Sequence, residues 1–410
     1  MIAPFSTDRY ITRERVLLTA SLTLLATIIG LSVLLWGSHG TVDSLGRPLG
    51  TDFSNVWTAG WMADHGQAAA AWDWSAHHGV QKAAHHDPHI PFYGWHYPPP
   101  FLIIAALLAK FPYTLALVLW QGLTLALAAL VAQRVLPGRD ALLASLGAPV
   151  VLVCLGHGQN AFMTTALLGG GMILLDRRPW VAGMLLGCLC YKPQFAVLIP
   201  VAIAARGNWR AFLSAGATVT ALCLLTVAIW GWGVWAAFIG SLPLTQHIII
   251  EAGATGWEKI QSPFAAIRQW GGSIPLAYGV QSVATVAAVL VAGLVTWRST
   301  MAVRGAAVLA AALLCTPYVL DYDYVLLGMA IAFLVADMRA RGALTWEPTW
   351  LAYAWMAPLF GRAVSAMTLV PVNLIAAVAV LALAGRRAVV LDDAWTTVVG
   401  RITSLRTARS

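Results

Sequence analysis

Long unbroken apolar runs separated by short basic or polar breaks occupy most of the chain, a pattern that predicts helices crossing a lipid bilayer. The first run, Val16 to Trp36, meets the ~20 apolar residues that a span requires, as do 211–230, 275–297 and 366–385. Residues 98–133, interrupted at Lys110-Phe111-Pro112, read as one net crossing. Runs at 140–155, 161–175, 305–317, 324–336 and 349–361 are shorter than ~20 residues. So are Trp180–Cys190 and Phe195–Ala205, which flank Tyr191-Lys192-Pro193-Gln194. Neither of these two pieces can cross alone. They form either a helical hairpin that enters and leaves on one side, or a single proline-kinked helix with a lysine at mid-depth. A β-barrel would show short alternating segments, whereas these runs are continuous and rich in Leu, Ala and Val. The pattern predicts an all-α polytopic membrane protein with about 12 membrane helices, some short or re-entrant.

Composition agrees, because 59% hydrophobic and 10% charged residues cannot coat a soluble globule of 410 residues. A formal charge of +8 would suggest nucleic acid in a soluble protein. Here the basic residues sit mainly in short loops between spans, which is the positive-inside arrangement, and no nucleic acid is expected. Arg9, Arg13 and Arg15 precede the first span, and no small-residue cleavage site follows it, so it reads as a retained anchor. The resulting map has a cytoplasmic N-terminus (1–15), a first external loop (37–97), a second (240–274) and a cytoplasmic basic tail (386–410). All five cysteines lie in apolar stretches and read as packing residues.

The polar chemistry concentrates in the first loop. It carries Asp52 in Gly50-Thr51-Asp52-Phe53-Ser54 and eight of the ten histidines, His39 at its start and then His65, His77, His78, His85, His86, His89 and His96. Asp52 is either a base near the membrane surface or an N-cap, with Thr51 or itself opening a helix over Phe53–Ala63. The histidines lack a zincin-type spacing, and no metal is expected. A surface that meets lipid phosphates or sugars suits them better, with Trp57, Trp61, Trp72, Trp74 and Trp95 available for interfacial anchoring or for stacking on sugar faces. His96-Tyr97-Pro98-Pro99-Pro100 closes the loop and opens the next helix, prolines being tolerated in a first turn.

A lysine at mid-depth costs about 2.5–3.5 kcal/mol on insertion scales. Lys192 therefore faces protein, water or an anionic ligand, or else snorkels to the head groups. Gly158-Gln159-Asn160, Gln261-Ser262-Pro263, and Tyr318 with Asp321-Tyr322-Asp323-Tyr324 supply amides, hydroxyls and carboxylates that bind sugars or cap helices. Gly169-Gly170-Gly171 reads as a helix-packing surface.

Taken in order, Asp52-Phe53, Tyr97-Pro98-Pro99, Gly158-Gln159-Asn160, Lys192-Pro193-Gln194, and Pro317 followed by Tyr322-Asp323 resemble glycosyltransferase family 87 over roughly residues 50 to 330. That resemblance implies the GT-C membrane fold. It implies an inverting hexosyltransferase that moves a hexose, mannose in characterised cases, from a polyprenyl-phosphate donor to a lipid or glycan acceptor hydroxyl outside the cytoplasm, with no cofactor. The setting would be a bacterial plasma membrane, with the active site on its outer face and both termini cytoplasmic. Asp52 would be the general base. Lys192 and Gln194 would bind the donor phosphate, and His96, Tyr97, Gln159, Asn160, Gln261, Tyr318 and Asp323 the substrates. Many relatives carry a histidine after the proline where this chain has Tyr318.

Two rivals remain. A secondary transporter would use the broken helices near Lys192 and Gln159 as a midplane site, but no inverted repeat is visible. An envelope polysaccharide ligase or polymerase typically depends on arginines in its large external loop, and here the two loops offer only Arg47 and Arg268.

Overall fold

A computed structural model describes residues 10–391, so Arg9 and the tail beyond residue 391 lie outside the described residues. The chain is helical throughout, with isolated β-bridges and no strands among those residues. Helix α1 (Arg13–Trp36) leads to a layer holding α2 (Phe53–Asp64) and α3 (Trp74–His85). Then come α4 (Pro100–Ala109), α5 (Tyr113–Val135), α6 (Arg139–Leu146), α7 (Pro149–His157) and α8 (Ala161–Leu174). A run of short pieces follows: α9 (Pro179–Gly187), α10 (Pro193–Ala196) and α11 (Leu198–Ala205). The chain ends through α12 (Trp209–Trp230), α13 (Gly233–Thr245), α14 (Pro263–Gln269), α15 (Ile274–Arg298), α16 (Met301–Leu314), α17 (Val325–Arg341), α18 (Glu347–Thr368) and α19 (Val372–Leu391).

Six helices among the described residues are long and apolar enough to cross a membrane, or seven if the bent pair α6–α7 counts as one, and five shorter apolar helices accompany them. The all-α polytopic architecture is therefore present. Leu18, Leu22, Leu25, Ile28 and Val33 on α1 are exposed, as expected of a helix facing lipid. At the centre, Val303 through Leu314 of α16 is buried without interruption, much of it alanine. Small side chains let α15, α17 and α19 approach closely, which is how helices pack where lipid removes any hydrophobic drive between them. Gly169 and Gly171 serve the same end, lying against Met329 and Leu186.

The two short pieces around Lys192 take the hairpin form. Arg206 pairs with Asp176 at 3.4 Å, and the Asn208 amide donates to the Leu175 carbonyl at 2.6 Å, so the segment leaves where it entered. Arg304 joins the same carboxylate at 2.7 Å. The hairpin tip carries Lys192 up into the bundle.

Two expectations shift. Helix α13 continues through a π turn to Glu251, so residues 240–251 of the second expected loop are helical. That helix packs on the first polar layer, where Phe238 meets the edge of Trp72 at 6.2 Å and Thr245 bonds His96 at 3.2 Å. The first layer is also less of a surface than its composition suggests. Trp72, Trp95, His77 and His85 are all buried there, the two tryptophans in edge contact at 6.3 Å. His85 is held at both ring nitrogens by the hydroxyls of Thr41 and Ser54, each 2.8 Å away. Burial drops His85 to about 4 and His77 to about 3, leaving both as neutral packing groups, of which His85 also hydrogen-bonds. Sugar or phosphate contact by these four residues is thereby corrected to core packing. Among the described residues no three potential metal ligands converge.

Candidate active site

Asp52 stands at the N-cap position of α2, yet its backbone is already helical and its side chain makes no cap bond. The carboxylate turns away from its own helix and accepts a 2.9 Å hydrogen bond from the Gln159 amide. The residues that meet here are 107 apart in sequence. Their approach depends on two glycines. Gly158 sits at φ +59, where a Cβ would lie 2.7 Å from the Gly50 carbonyl oxygen and equally close to Phe53. Replacement by alanine would add left-handed strain to that overlap and push the Gln159 turn off Asp52. Gly158→Ala is expected to lower turnover at least tenfold while the protein still purifies as a monodisperse species; unchanged turnover would mean that the Asp52–Gln159 bond has no part in the reaction.

Gln159 is itself fixed. Its carbonyl accepts from Gln121 at 3.0 Å, and its side-chain oxygen accepts from the Tyr97 hydroxyl at 3.1 Å. Thr51 bonds the His157 ring at 3.0 Å, and that ring tilts over Tyr322 at 5.8 Å. The third side of the site comes from an antiparallel bridge between Ile260 and Leu320, flanked by bonds from Gln261 to Val319 (2.8 Å) and from Asp321 to Lys259 (3.1 Å). This bridge brings the Lys259 ammonium to 4.0 Å from the Asp52 carboxylate. Both side chains are 14% exposed, so they are sheltered but reachable. Burial alone would raise the Asp52 pKa, but Lys259, His157 and the Gln159 bond together outweigh it and hold the group below its usual range. Nearby Asp321 goes the other way, its burial outweighing the same positive neighbours. Arg362 reaches Asp321 and Glu258, each at 3.9 Å, with half of its side chain open.

Of the expected substrate groups, Gln159 meets Asp52 directly and Tyr97 joins it through Gln159. His96 lies close enough to influence it, is pushed down to about 4 by burial, and bonds Thr245. The half-buried Tyr318 phenol is raised, by burial first and then by Asp52 and Asp323. Asn160 and Gln261 are buried, and the Asn160 amide finds no protein partner.

Lys192 has a protein partner: its ammonium, 4% exposed, pairs with Asp323 at 2.6 Å. The rings of Phe195 and Tyr322 flank it, each at 5.4 Å. Asp323 is consequently a counterion more than a sugar ligand, its other oxygen accepting from the Leu320 amide. Gln194 lies half-buried one residue past the hairpin's proline. The cations positioned to meet an anion are Lys259 and Arg362, neither of which stood out in the sequence. Lys259 follows Glu258 in a loop with no motif, and Arg362 falls between two apolar runs.

The model of glycosyltransferase family 87 matches residues 95–319, more than half of the chain. The chain belongs to glycosyltransferase family 87. No curated protein and no solved structure matches it. As a family-87 glycosyltransferase it takes a sugar donor and an acceptor, and the matched stretch contributes Tyr97, Gln159 and Lys259 to the group around Asp52, with Asp52 itself preceding the match.

Proposed function

We propose that this glycosyltransferase moves a hexose, mannose by family likeness, from a polyprenyl-phosphate donor to an acceptor hydroxyl with inversion, on the outer face of a bacterial plasma membrane, and that Asp52 is the general base. The observation that carries this reading is the Asp52 carboxylate, freed from helix capping and held by Gln159 beside Lys259, sheltered yet reachable.

The chemistry runs as one displacement. The acceptor hydroxyl attacks the anomeric carbon, its proton passes to Asp52, and the carbon–oxygen bond to the polyprenyl phosphate breaks with the electron pair leaving on the phosphate. Lys259 and Arg362 are the donor-phosphate anchors, since their nearest carboxylates lie 3.9–4.0 Å away and leave hydrogen-bonding capacity for an anion. A phosphate beside Lys259 also offsets the positive charge that holds Asp52 down, making the carboxylate a stronger base once donor is bound.

Transfer of radiolabelled hexose from polyprenyl phosphate in proteoliposomes tests this reading directly. Wild-type kcat/KM is expected to stay level from neutral pH to about pH 5 and to fall only in or below the ordinary carboxylate range. In Lys259→Met, loss of the positive neighbour raises the Asp52 pKa, so the acid limb moves to higher pH. An unmoved limb would separate Lys259 from the base. Arg362→Ala is expected to raise the donor KM about tenfold or more with a smaller change in kcat, as loss of a phosphate contact worth about 1.5–3 kcal/mol requires. Unchanged donor KM would place the phosphate elsewhere.

A further inference from the structure

At the end of the bundle away from Asp52 lies a cavity of about 870 Å³ that the glycosyl-transfer site does not use. One wall is α17, lined from Val325 to Arg339, a run of about 21 Å at helical rise. Leu125 to Leu136 of α5 form the facing wall, and the start of α1, the α6–α7 bend and the first turns of α18 close the sides. Within the bundle the lining is aliphatic and aromatic, including Ala128, Val151, Phe162, Ile331 and Leu351. Gly328 opens onto it, with nothing within 4 Å of where a Cβ would stand.

The rim is charged. Arg13, Arg15, Asp140 and Arg339 line it. Arg13 is bound to Asp140 at 2.5 Å, whereas among the described residues Arg15 donates to the Tyr10 carbonyl (3.2 Å) and Arg339 to that of Pro137 (3.5 Å). Among the described residues that line the cavity, these three arginines stand against one carboxylate, Asp140. Among the described residues Arg15 and Arg339 stand outside any salt bridge, with Asp140 near enough to feel Arg339, and they guard an apolar slot that is about four helical turns deep.

We propose that this cavity binds one anionic diacyl phospholipid, its phosphate on Arg15 and Arg339 and its acyl chains along α17. The shape fits a molecule with an anionic end and a long apolar body, and guanidinium groups bind phosphate in paired hydrogen bonds. The excess positive charge favours a net-anionic head group. The polyprenyl donor is a poorer occupant, because its phosphate belongs at the opposite end beside Lys259.

The full chain, purified from bacterial membranes in mild detergent, is examined by native mass spectrometry with and without added phosphatidylglycerol or phosphatidylcholine. One bound phosphatidylglycerol per chain is expected to survive gentle activation, and phosphatidylglycerol but not phosphatidylcholine should raise Tm. Arg15→Gln/Arg339→Gln, both at exposed residues, should reduce retention at least tenfold. Gly328→Leu, which fills the slot and leaves the arginines intact, should do the same. Both variants should elute as the wild type and keep hexosyl transfer. Equal retention in the variants, equal response to the two lipids, an isoprenoid mass in the slot, or no retained lipid in the wild type would each overturn the proposal.

Discussion

Asp52→Asn is expected to cut hexosyl transfer by about 10²–10⁴, the range that a positioned general base contributes. The substitution keeps the shape of the side chain, and the Gln159 amide can still meet its oxygen, so the fold and donor binding should survive. What disappears is the group that accepts the hydroxyl proton. Because the wild-type carboxylate is held below its usual range, it is ionised throughout the neutral region, and the loss should be of similar size at every neutral pH. Single-turnover transfer in proteoliposomes, with donor binding measured in parallel, separates the two effects. Turnover within a few-fold of wild type would remove Asp52 as the base.

Lys192→Ala is expected to destabilise the protein by about 3–5 kcal/mol, the cost of leaving a buried carboxylate without its partner. Asp323 would then sit 3% exposed with no cation beside it. The hairpin tip would lose its one polar tie to the turn before α17, so loss of folded protein should precede any specific effect on donor binding. A double change, Lys192→Met with Asp323→Leu, removes both charges and should recover most of the loss. Thermal unfolding in detergent micelles reads both outcomes. A stable Lys192→Ala protein with a raised donor KM would instead restore Lys192 as a phosphate ligand.

The contrast between Asp52 and Lys192 illustrates what the sequence could reveal. Apolar periodicity predicts the helical class because each span needs a long local run, and a carboxylate after the first span is conspicuous for the same local reason. The re-entrant character of the Lys192 segment was open from sequence alone. It is decided by Arg206 and Asn208 returning to Asp176 and Leu175, contacts that no spacing rule encodes. Lys192 was legible as costly in hydrocarbon, but its partner lies 131 residues on, and charge pairing across that distance leaves no pattern. Gln159 was legible as a polar group at a hinge, not as the residue that holds Asp52. Lys259 was missed because a single charged side chain in a loop looks like solvent exposure until the bridge at Ile260 and Leu320 folds it inward, and His157 because nothing at the end of α7 signals its bond to Thr51. The histidine-rich layer misled for the opposite reason: polar composition suggests surface, while Thr41 and Ser54 satisfy His85 in the interior.

The central claim is that the acceptor hydroxyl is deprotonated at Asp52 while the donor phosphate rests on Lys259 and Arg362. A structure of the protein with a non-transferable polyprenyl-phosphonate sugar and an acceptor analogue tests it most directly. The acceptor oxygen is expected within about 3 Å of the Asp52 carboxylate and the phosphonate against Lys259 and Arg362. Sugar density remote from Asp52, or a phosphonate held by other groups, would contradict it.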